Sequence, residues 1–341
     1  MDTLQPYLPG QYILQALDGD LLDAQGRKRL LDLMSAAGRN VDSLSVYGAR
    51  APLRWLLAAL PQATPSAMAS FAYDFGREVR LTAHGALSSM LMATPVVAQL
   101  VAAMRFLPLL TNTVSTHFIA AANGDGFLLL QPQTGDPLLD LFPVYYAAAA
   151  LPALLQRLTG SAVKVCIHLR EDRLLARHAD RSEQDWCYPA AAYGLALRSV
   201  DLARPCLFAD PETFQATTRV CEQELQLLLE PAGPSQRVRR LLEHAQHYPQ
   251  LEAMAALLHL SSSTLKRQLA QQGTSFQKLL DEARRQRALV ALLDPQLSME
   301  QIAEQLGYSD ASNFTHAFKK WTGQTPALFR QQLLQGEQDQ R

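Results

Sequence analysis

Apolar residues in the first third of the chain recur every three or four positions. Leu30, Leu31, Leu33 and Met34 precede Gly38, Leu53, Leu56, Leu57 and Leu60 follow Pro52, and Met68, Phe71, Phe75 and Val79 form a third series. That period places each series on one face of a helix, so residues 27–110 read as helices with one apolar side. After Pro108 the pattern becomes strand-like. Thr113–Ile119 and Phe127–Leu130 flank Asn123-Gly124-Asp125-Gly126, a turn sequence that tolerates positive φ, and together they predict a β-hairpin. Pro143 opens another helical run through Tyr145, Leu151, Leu154, Leu155 and Leu158, which stops at Gly160 before the alternating Val163, Val165, Ile167 and Leu169. A strand is expected there and a second from Gly194 to Val200, while Pro211 to Glu230 reads as a helix ended by Pro231-Ala232-Gly233-Pro234.

Beyond Ser235 the strand signal stops and short helices alternate with short breaks. The expected organisation is an α+β domain over 1–230, a linker at 231–234, an all-α domain over 235–333 and a tail at 334–341. In the all-α part the segment Met254–Ser261 has the same layout of apolar and small residues as Ile302–Ser309, and each is followed by a second short helix, Ser262–Gln271 and Ala311–Trp321.

Composition narrows the classes. The chain is 48% hydrophobic and 18% charged with a net charge of -1, which is a core-forming composition and excludes wholesale disorder. The charge is uneven: residues 235–341 carry 13 Lys+Arg against 10 Asp+Glu, and the remainder carries 18 against 22. The C-terminal third is therefore the end suited to an acidic partner. Cys166, Cys187, Cys206 and Cys221 lie far apart with no CxxC pair, so the spacing favours reduced core thiols over a zinc knuckle or redox dithiol. No metal site and no cofactor is expected. The start Met1-Asp2-Thr3-Leu4-Gln5-Pro6 lacks the pattern of a signal peptide, and Leu87–Met104, broken by polar residues and Pro95, reads as buried protein instead of a membrane span. A cytoplasmic protein that does not engage a membrane is expected.

A short helix, a tight turn, a serine cap and a second helix with one polar side describe a helix-turn-helix, and here the arrangement occurs twice. In the first unit Leu265 and Leu269 form the core pair, leaving Ser262, Ser263, Lys266, Arg267 and Gln268 as candidates for a DNA groove. In the second Phe314 and Phe318 are the core pair, leaving Ser312, Asn313, Thr315, His316, Lys319 and Lys320. Arg, Lys and Asn suit the task because their donors match guanine O6/N7 or the adenine edge. The amphipathic stretch Phe276–Leu293 between the units predicts a linking helix, with Arg284, Arg285 and Arg287 partly solvated, that holds both readers on one face of a duplex. Phosphates are expected at Lys319, Lys320 and the N-terminal amides of the helices.

These residues resemble the AraC/XylS family of bacterial transcription regulators over residues 235–333. The resemblance is strongest in Ser298–Phe314, then Ala317–Pro326 and Phe329-Arg330. It implies a sequence-specific regulator bound to promoter DNA, an activator working with RNA polymerase. Two positions depart from the family pattern: His259 stands where the family often has Gly, as Gly307 does in the second unit, and His316 stands where Arg is frequent. His is tolerated at positive φ, but it lacks Arg's two-pronged fork, so the first unit reads as the stronger one.

The N-terminal part, including Arg80–Met90 and a helix start at Thr94-Pro95, looks like the arabinose-binding-type domain of a subset of this family, which implies binding of a small effector or a homodimeric partner. Phe118, Phe127, Tyr145, Tyr146 and Trp186 are the candidate lining of an apolar effector pocket. No catalytic group is assigned: His84, His117, His168 and His178 are scattered, and Glu171-Asp172 with Arg170 and Arg173 reads as a solvated turn. Two alternatives remain, a purely oligomerising N-terminal part built on the helix Pro211–Glu230, and a DNA-repair methyltransferase with a cysteine nucleophile and four-cysteine zinc site, against which the cysteine spacing argues.

Overall fold

The computed structural model describes residues 5–46, 48–80, 86–120, 124–170, 184–188, 190, 192–229, 233–245, 247–292, 294 and 296–335. The chain divides into two compact units, Met1–Leu225 and Gln226–Arg341, and the division falls within a helix, ahead of the proline-glycine cluster expected to be the linker. His84, Glu171, Asp172, Arg173, His178, Pro231, Ala232 and the tail from 336 lie outside the described residues.

The first unit is α+β. Strand β1 (Tyr7–Pro9) leads into α1 (Gly10–Asp18), α2 (Ala24–Ala36) and α3 (Val41–Ser45), and β2 (Arg50–Pro52) returns to pair antiparallel with β1. Helices α4 (Arg54–Ala59), α5 (Pro65–Arg77), α6 (Ala86–Ala93) and α7 (Val97–Ala103) follow, then a 3-10 turn over Met104–Leu109. Helix starts obey local chemistry: Asp23 accepts from the Gly26 amide at 2.6 Å to open α2, and Thr64 caps α5 with Pro65 in the first turn. The Thr94-Pro95 pair separates two helices: the Thr94 hydroxyl donates to the Met90 carbonyl at 2.9 Å and closes α6, and α7 begins two residues after Pro95, as expected.

The predicted hairpin is present as β3 (Val114–Ala120) and β4 (Gly126–Pro132), paired from Val114 with Pro132 to Ala120 with Gly126. Next comes α8 (Pro137–Thr159), followed by β5 (Cys166–His168), β6 (Asp185–Cys187), β7 (Gly194–Leu197), α9 (Ser199–Leu202) and α10 (Pro211–Leu229). The sheet order is β3-β4-β7-β5-β6, antiparallel throughout except for β5 with β6. Helix α8 starts at Pro137, well before Pro143, where Asp136 accepts from the Leu138 and Leu139 amides at 2.8 and 3.4 Å. That cap and Pro137 satisfy the first-turn donors, so Pro143 lies inside the helix, as does Pro152.

Packing of α5 on α8 forms the core of this unit. Gly76 permits it, because a Cβ there would meet the Tyr146 carbonyl at 2.4 Å. At 23 residues and a mean hydropathy of 1.6, α8 is long and apolar enough to cross a membrane, more so than the stretch Leu87–Met104 singled out above. Here it is a core helix, with 72% of its apolar window buried.

The second unit is all helical, as expected: α11 (Pro234–His244), α12 (Leu251–Leu257), α13 (Ser262–Gln271), α14 (Phe276–Leu292), α15 (Met299–Gln305), α16 (Ala311–Thr322) and α17 (Pro326–Gln335). Val238, Leu242, Met254, Leu265 and Leu269 pack with Leu279 and Leu280 of α14 in one cluster. Ile302, Leu306, Phe314, Phe318 and Phe329 are buried in the second half, where the Phe318 and Phe329 rings meet edge-on at 5.3 Å. Helix α14 buries Ala283 in the first half and Leu292 further along, so one rigid element serves both halves.

Candidate nucleic-acid interface

Each half places a short helix, a turn and a second helix in the same way. In the first turn His259 has φ 57°, the one positive-φ residue other than glycine among the described residues. Its amide donates to the Ala256 carbonyl at 3.0 Å, and the Leu260 amide donates to Ala255 at 2.9 Å. In the second turn Gly307 has φ 72°, its amide donates to Glu304 at 2.9 Å, and Tyr308 donates to Ala303 at 2.9 Å. The two turns therefore share one hydrogen-bonding scheme, a left-handed C-cap, and His259 occupies the place that glycine fills in its counterpart.

The second helix of each pair is opened by a side-chain cap. Ser261 accepts from the Thr264 amide at 3.2 Å to start α13, and Asp310 accepts from the Asn313 amide at 2.7 Å to start α16. Leu265 with Leu269 and Phe314 with Phe318 are buried, which turns the remaining positions outward. On α13 Ser263, Lys266 and Arg267 are exposed while Ser262 and Gln268 are half-buried; on α16 Ser312, Asn313, His316, Lys319 and Lys320 are exposed and Thr315 is half-buried. The Gln268 Oε1 is enclosed without a hydrogen-bond partner, which places this amide nearer the helix packing than the groove-facing side.

The two readers differ in electrostatics, a point the sequence pattern did not expose. Around the start of α13 the cap is a neutral serine and the next charges are Lys266 and Arg267. At the start of α16 the cap is a carboxylate, which hydrogen bonds from Asn313 and Ser309 hold below its ordinary pKa range. Asp310 thus occupies the first-turn amide that was expected to meet a phosphate, and its charge opposes one. The Asn313 side chain is engaged too, donating to Ser309 and Asp310 at 2.8 Å each. Lys319 and Lys320 sit in the last turn of α16, where a cation also complements the helix dipole.

The profile of a helix-turn-helix domain matches residues 254–332, the span from α12 to α17. The ornithine utilization regulator of Pseudomonas aeruginosa is 40% identical over 150 residues, which is 44% of this chain and 42% of that protein. The C-terminal part of the chain is therefore similar to the helix-turn-helix part of transcription regulators. The HTH-type transcriptional regulator GadX of Escherichia coli is 29% identical over 191 residues, 54% of this chain and 68% of GadX. The match to the ornithine regulator thus spans less than half of that relative's length. The crystal structure of the transcriptional regulator CdpR from Pseudomonas aeruginosa aligns over 89% of this chain and 97% of CdpR, with 22% identity and a TM-score of 0.41.

Outside the helix-turn-helix domain, the first unit contains a cavity of about 90 Å³ lined by α6, α8, the β3–β4 pair, residues around β1 and the 3-10 turn. Of the five aromatic residues expected to line a pocket, the structure puts only Tyr146 on its wall. Phe127 points to the opposite sheet face, where its ring meets His168 edge-on at 5.2 Å and covers Gly194, whose Cβ would lie 2.2 Å from it. Trp186 stacks near Tyr73 at 5.5 Å, Tyr145 is wholly buried in the core, and Phe118 covers Gly126 beyond the cavity. The reason is strand alternation: Leu128 and Leu130 face the cavity, so Phe127 cannot. The void is maintained at a cost on the order of 2 kcal/mol by the cavity-volume relation.

No scattered polar group of this unit forms a reactive pair among the described residues. His168 is buried, which pulls its pKa down to about 4, and burial also lowers His117. Burial raises all four thiols, Cys166 to about 12 and Cys221 to about 11, which is the wrong direction for a nucleophile. On α10 Phe214, Cys221 and Leu225 pack into the first unit's core, whereas Val220 and Leu227 are 46% and 64% exposed.

Proposed function

We propose that this protein is a sequence-specific, DNA-binding transcription activator of promoter DNA. The carrying observation is the pair of α13 and α16, each set by a left-handed turn, buried on one side and exposing Ser263, Lys266 and Arg267, or Asn313, His316 and Lys319, on the other. In this reading Lys266 and Arg267 read one major-groove segment, α16 reads the next more weakly, and Lys319 and Lys320 meet phosphates. The protein works in the cytoplasm with RNA polymerase, as a homodimer formed through the exposed side of α10 around Val220 and Leu227. Its first unit senses a small effector. The apolar cavity favours this over a purely oligomerising unit, and the raised thiol pKa values oppose a methyltransferase.

The test is recovery of genomic DNA fragments on the purified full chain at one fixed salt concentration, because phosphate contacts make affinity steeply salt-dependent. A small set of enriched promoter fragments is expected. Arg267→Ala should then weaken binding to those fragments by about 1–3 kcal/mol while leaving unrelated DNA little changed. Equal affinity for all fragments before and after the substitution would overturn the reading.

A further inference from the structure

The cavity of the first unit has a wall of almost pure hydrocarbon. Leu87 and Leu91 of α6, Leu128 and Leu130 of β4, and Leu151 and Leu154 of α8 face it, and no charged side chain does so among the described residues. The hydroxyls that reach the wall are engaged with the protein itself. Thr111 donates to the Tyr7 carbonyl at 2.6 Å, so the 2.8 Å bond between Thr113 and Thr111 uses the Thr113 proton; Thr116 donates to the Met104 carbonyl at 2.9 Å, and the Tyr12 and Tyr146 hydroxyls meet at 2.8 Å.

A sugar or an amino acid would carry several polar groups, or charges, into a space that offers few partners, and each unpaired group would oppose binding. A hydrocarbon gives up nothing in water that it needs and gains contact with the wall. Apolar cavities of roughly 150 Å³ stay dry and take a benzene ring. At about 90 Å³ this one suits a narrower group. Leu107 and Leu110 of the wall are half-buried, so the cavity approaches the surface beside the 3-10 turn.

We propose that this cavity binds the uncharged aliphatic chain of a small ligand, admitted past Leu107 and Leu110. The proposal rests on the first unit being the effector module, and it specifies the chemistry of that effector as hydrocarbon in place of sugar or amino acid.

The experiment titrates the full chain calorimetrically with butanol, hexanol, octanol and decanol, and in parallel with glucose and lysine. Saturable one-to-one binding of the alcohols is expected, tightening about fourfold per methylene until the cavity is full, with no saturable binding of glucose or lysine. Ala147→Phe, which adds bulk at the wall, should weaken the best alcohol by about tenfold. Leu91→Ala enlarges the space and should move the length optimum to a longer alcohol. If Ala147→Phe does not fold by circular dichroism, the length shift in Leu91→Ala still decides. Absence of saturation with every alcohol, unchanged affinities and length optimum in both variants, or tighter binding of glucose or lysine overturns the proposal. Affinity for an enriched promoter fragment is measured separately. Alcohol binding that leaves DNA affinity unchanged supports the cavity as a hydrocarbon site and removes the effector reading of the previous section.

Discussion

The guanidinium of Arg284 lies 4.7 Å over the ring of Tyr308, and its Nη2 donates to the Gly307 carbonyl at 3.3 Å. The same group stands 5.5 Å from the ring of Tyr248, which packs against the first cluster of the second unit. A side chain of the linking helix therefore touches the turn of one helix-turn-helix and an aromatic residue packed against the core of the other half. Arg287 reinforces the first contact, 4.9 Å over Tyr248 with its Nη2 donating to the Ala245 carbonyl at 2.7 Å. Two readers can address successive groove segments only if their spacing is held, and α14 with Arg284 supplies that hold.

Replacing Arg284 with Ala should lower the stability of the second unit by about 1–2 kcal/mol, the sum of two partly exposed cation–π contacts. Urea unfolding followed by the fluorescence of Trp321, in a chain with Trp55 and Trp186 replaced by Phe, measures it, and Arg284→Lys should recover only part of the loss because the planar stack is gone. Specific DNA affinity should fall more than nonspecific affinity, since phosphate contacts survive a loosened spacing.

The left-handed turn predicts opposite effects at equivalent places. His259→Gly removes the side-chain clash at φ 57° and should stabilise the second unit by about 0.5–1 kcal/mol. Gly307→Ala forces a Cβ into φ 72° and should destabilise by about 1–2 kcal/mol, mostly through backbone strain, because the added atom meets only the Arg284 Nη2 at 3.4 Å. Paired denaturation curves give both values.

Asp310 caps α16 while opposing phosphate. Asp310→Asn retains an acceptor for the Asn313 amide and removes the charge, so helix stability should be little changed. Affinity for all DNA sequences should rise, and the salt dependence should steepen. Filter binding across a salt series reads both; unchanged affinity at low salt would place Asp310 away from the duplex.

His168 makes the first unit acid-sensitive. Its folded pKa of about 4 lies below the unfolded value, so the unfolded state takes up a proton that the folded state refuses as pH falls from about 6.5 toward 4. The stability from keeping it neutral is fully present above that window and is lost through it, amounting to about 2 kcal/mol between pH 7 and pH 5. Urea titrations at the two pH values should show the loss, and His168→Gln should reduce it. His117, lowered in the same direction, contributes a smaller share that persists in the variant.

Much of the second unit was legible in sequence because its determinants are local. The serine cap announces a helix start at Ser261, Gly307 a stop, and the spacings Leu265 to Leu269 and Phe314 to Phe318 define a buried side and hence an exposed one, although the second unit's expected serine cap is replaced by Asp310. Those features depend on neighbours three or four residues away, which the linear chain displays directly. The first unit's hairpin and helices were readable for the same reason, except where a nearer cap, Asp136, outranked Pro143.

The cavity was not readable, because its wall joins residues from β1 to β7 that lie far apart in sequence, and the aromatic character that marked Phe127 and Trp186 says nothing about which sheet face or helix each will meet. Likewise, the arginines of α14 read as a partly solvated face, and only folding placed Arg284 between Tyr248 and Tyr308. The sequence by itself determined the helical repeats and the side of each helix available for DNA, since periodicity and capping are short-range. The tertiary structure decided the cavity's chemistry and the clasp between the readers, since both depend on contacts between residues that are distant in sequence.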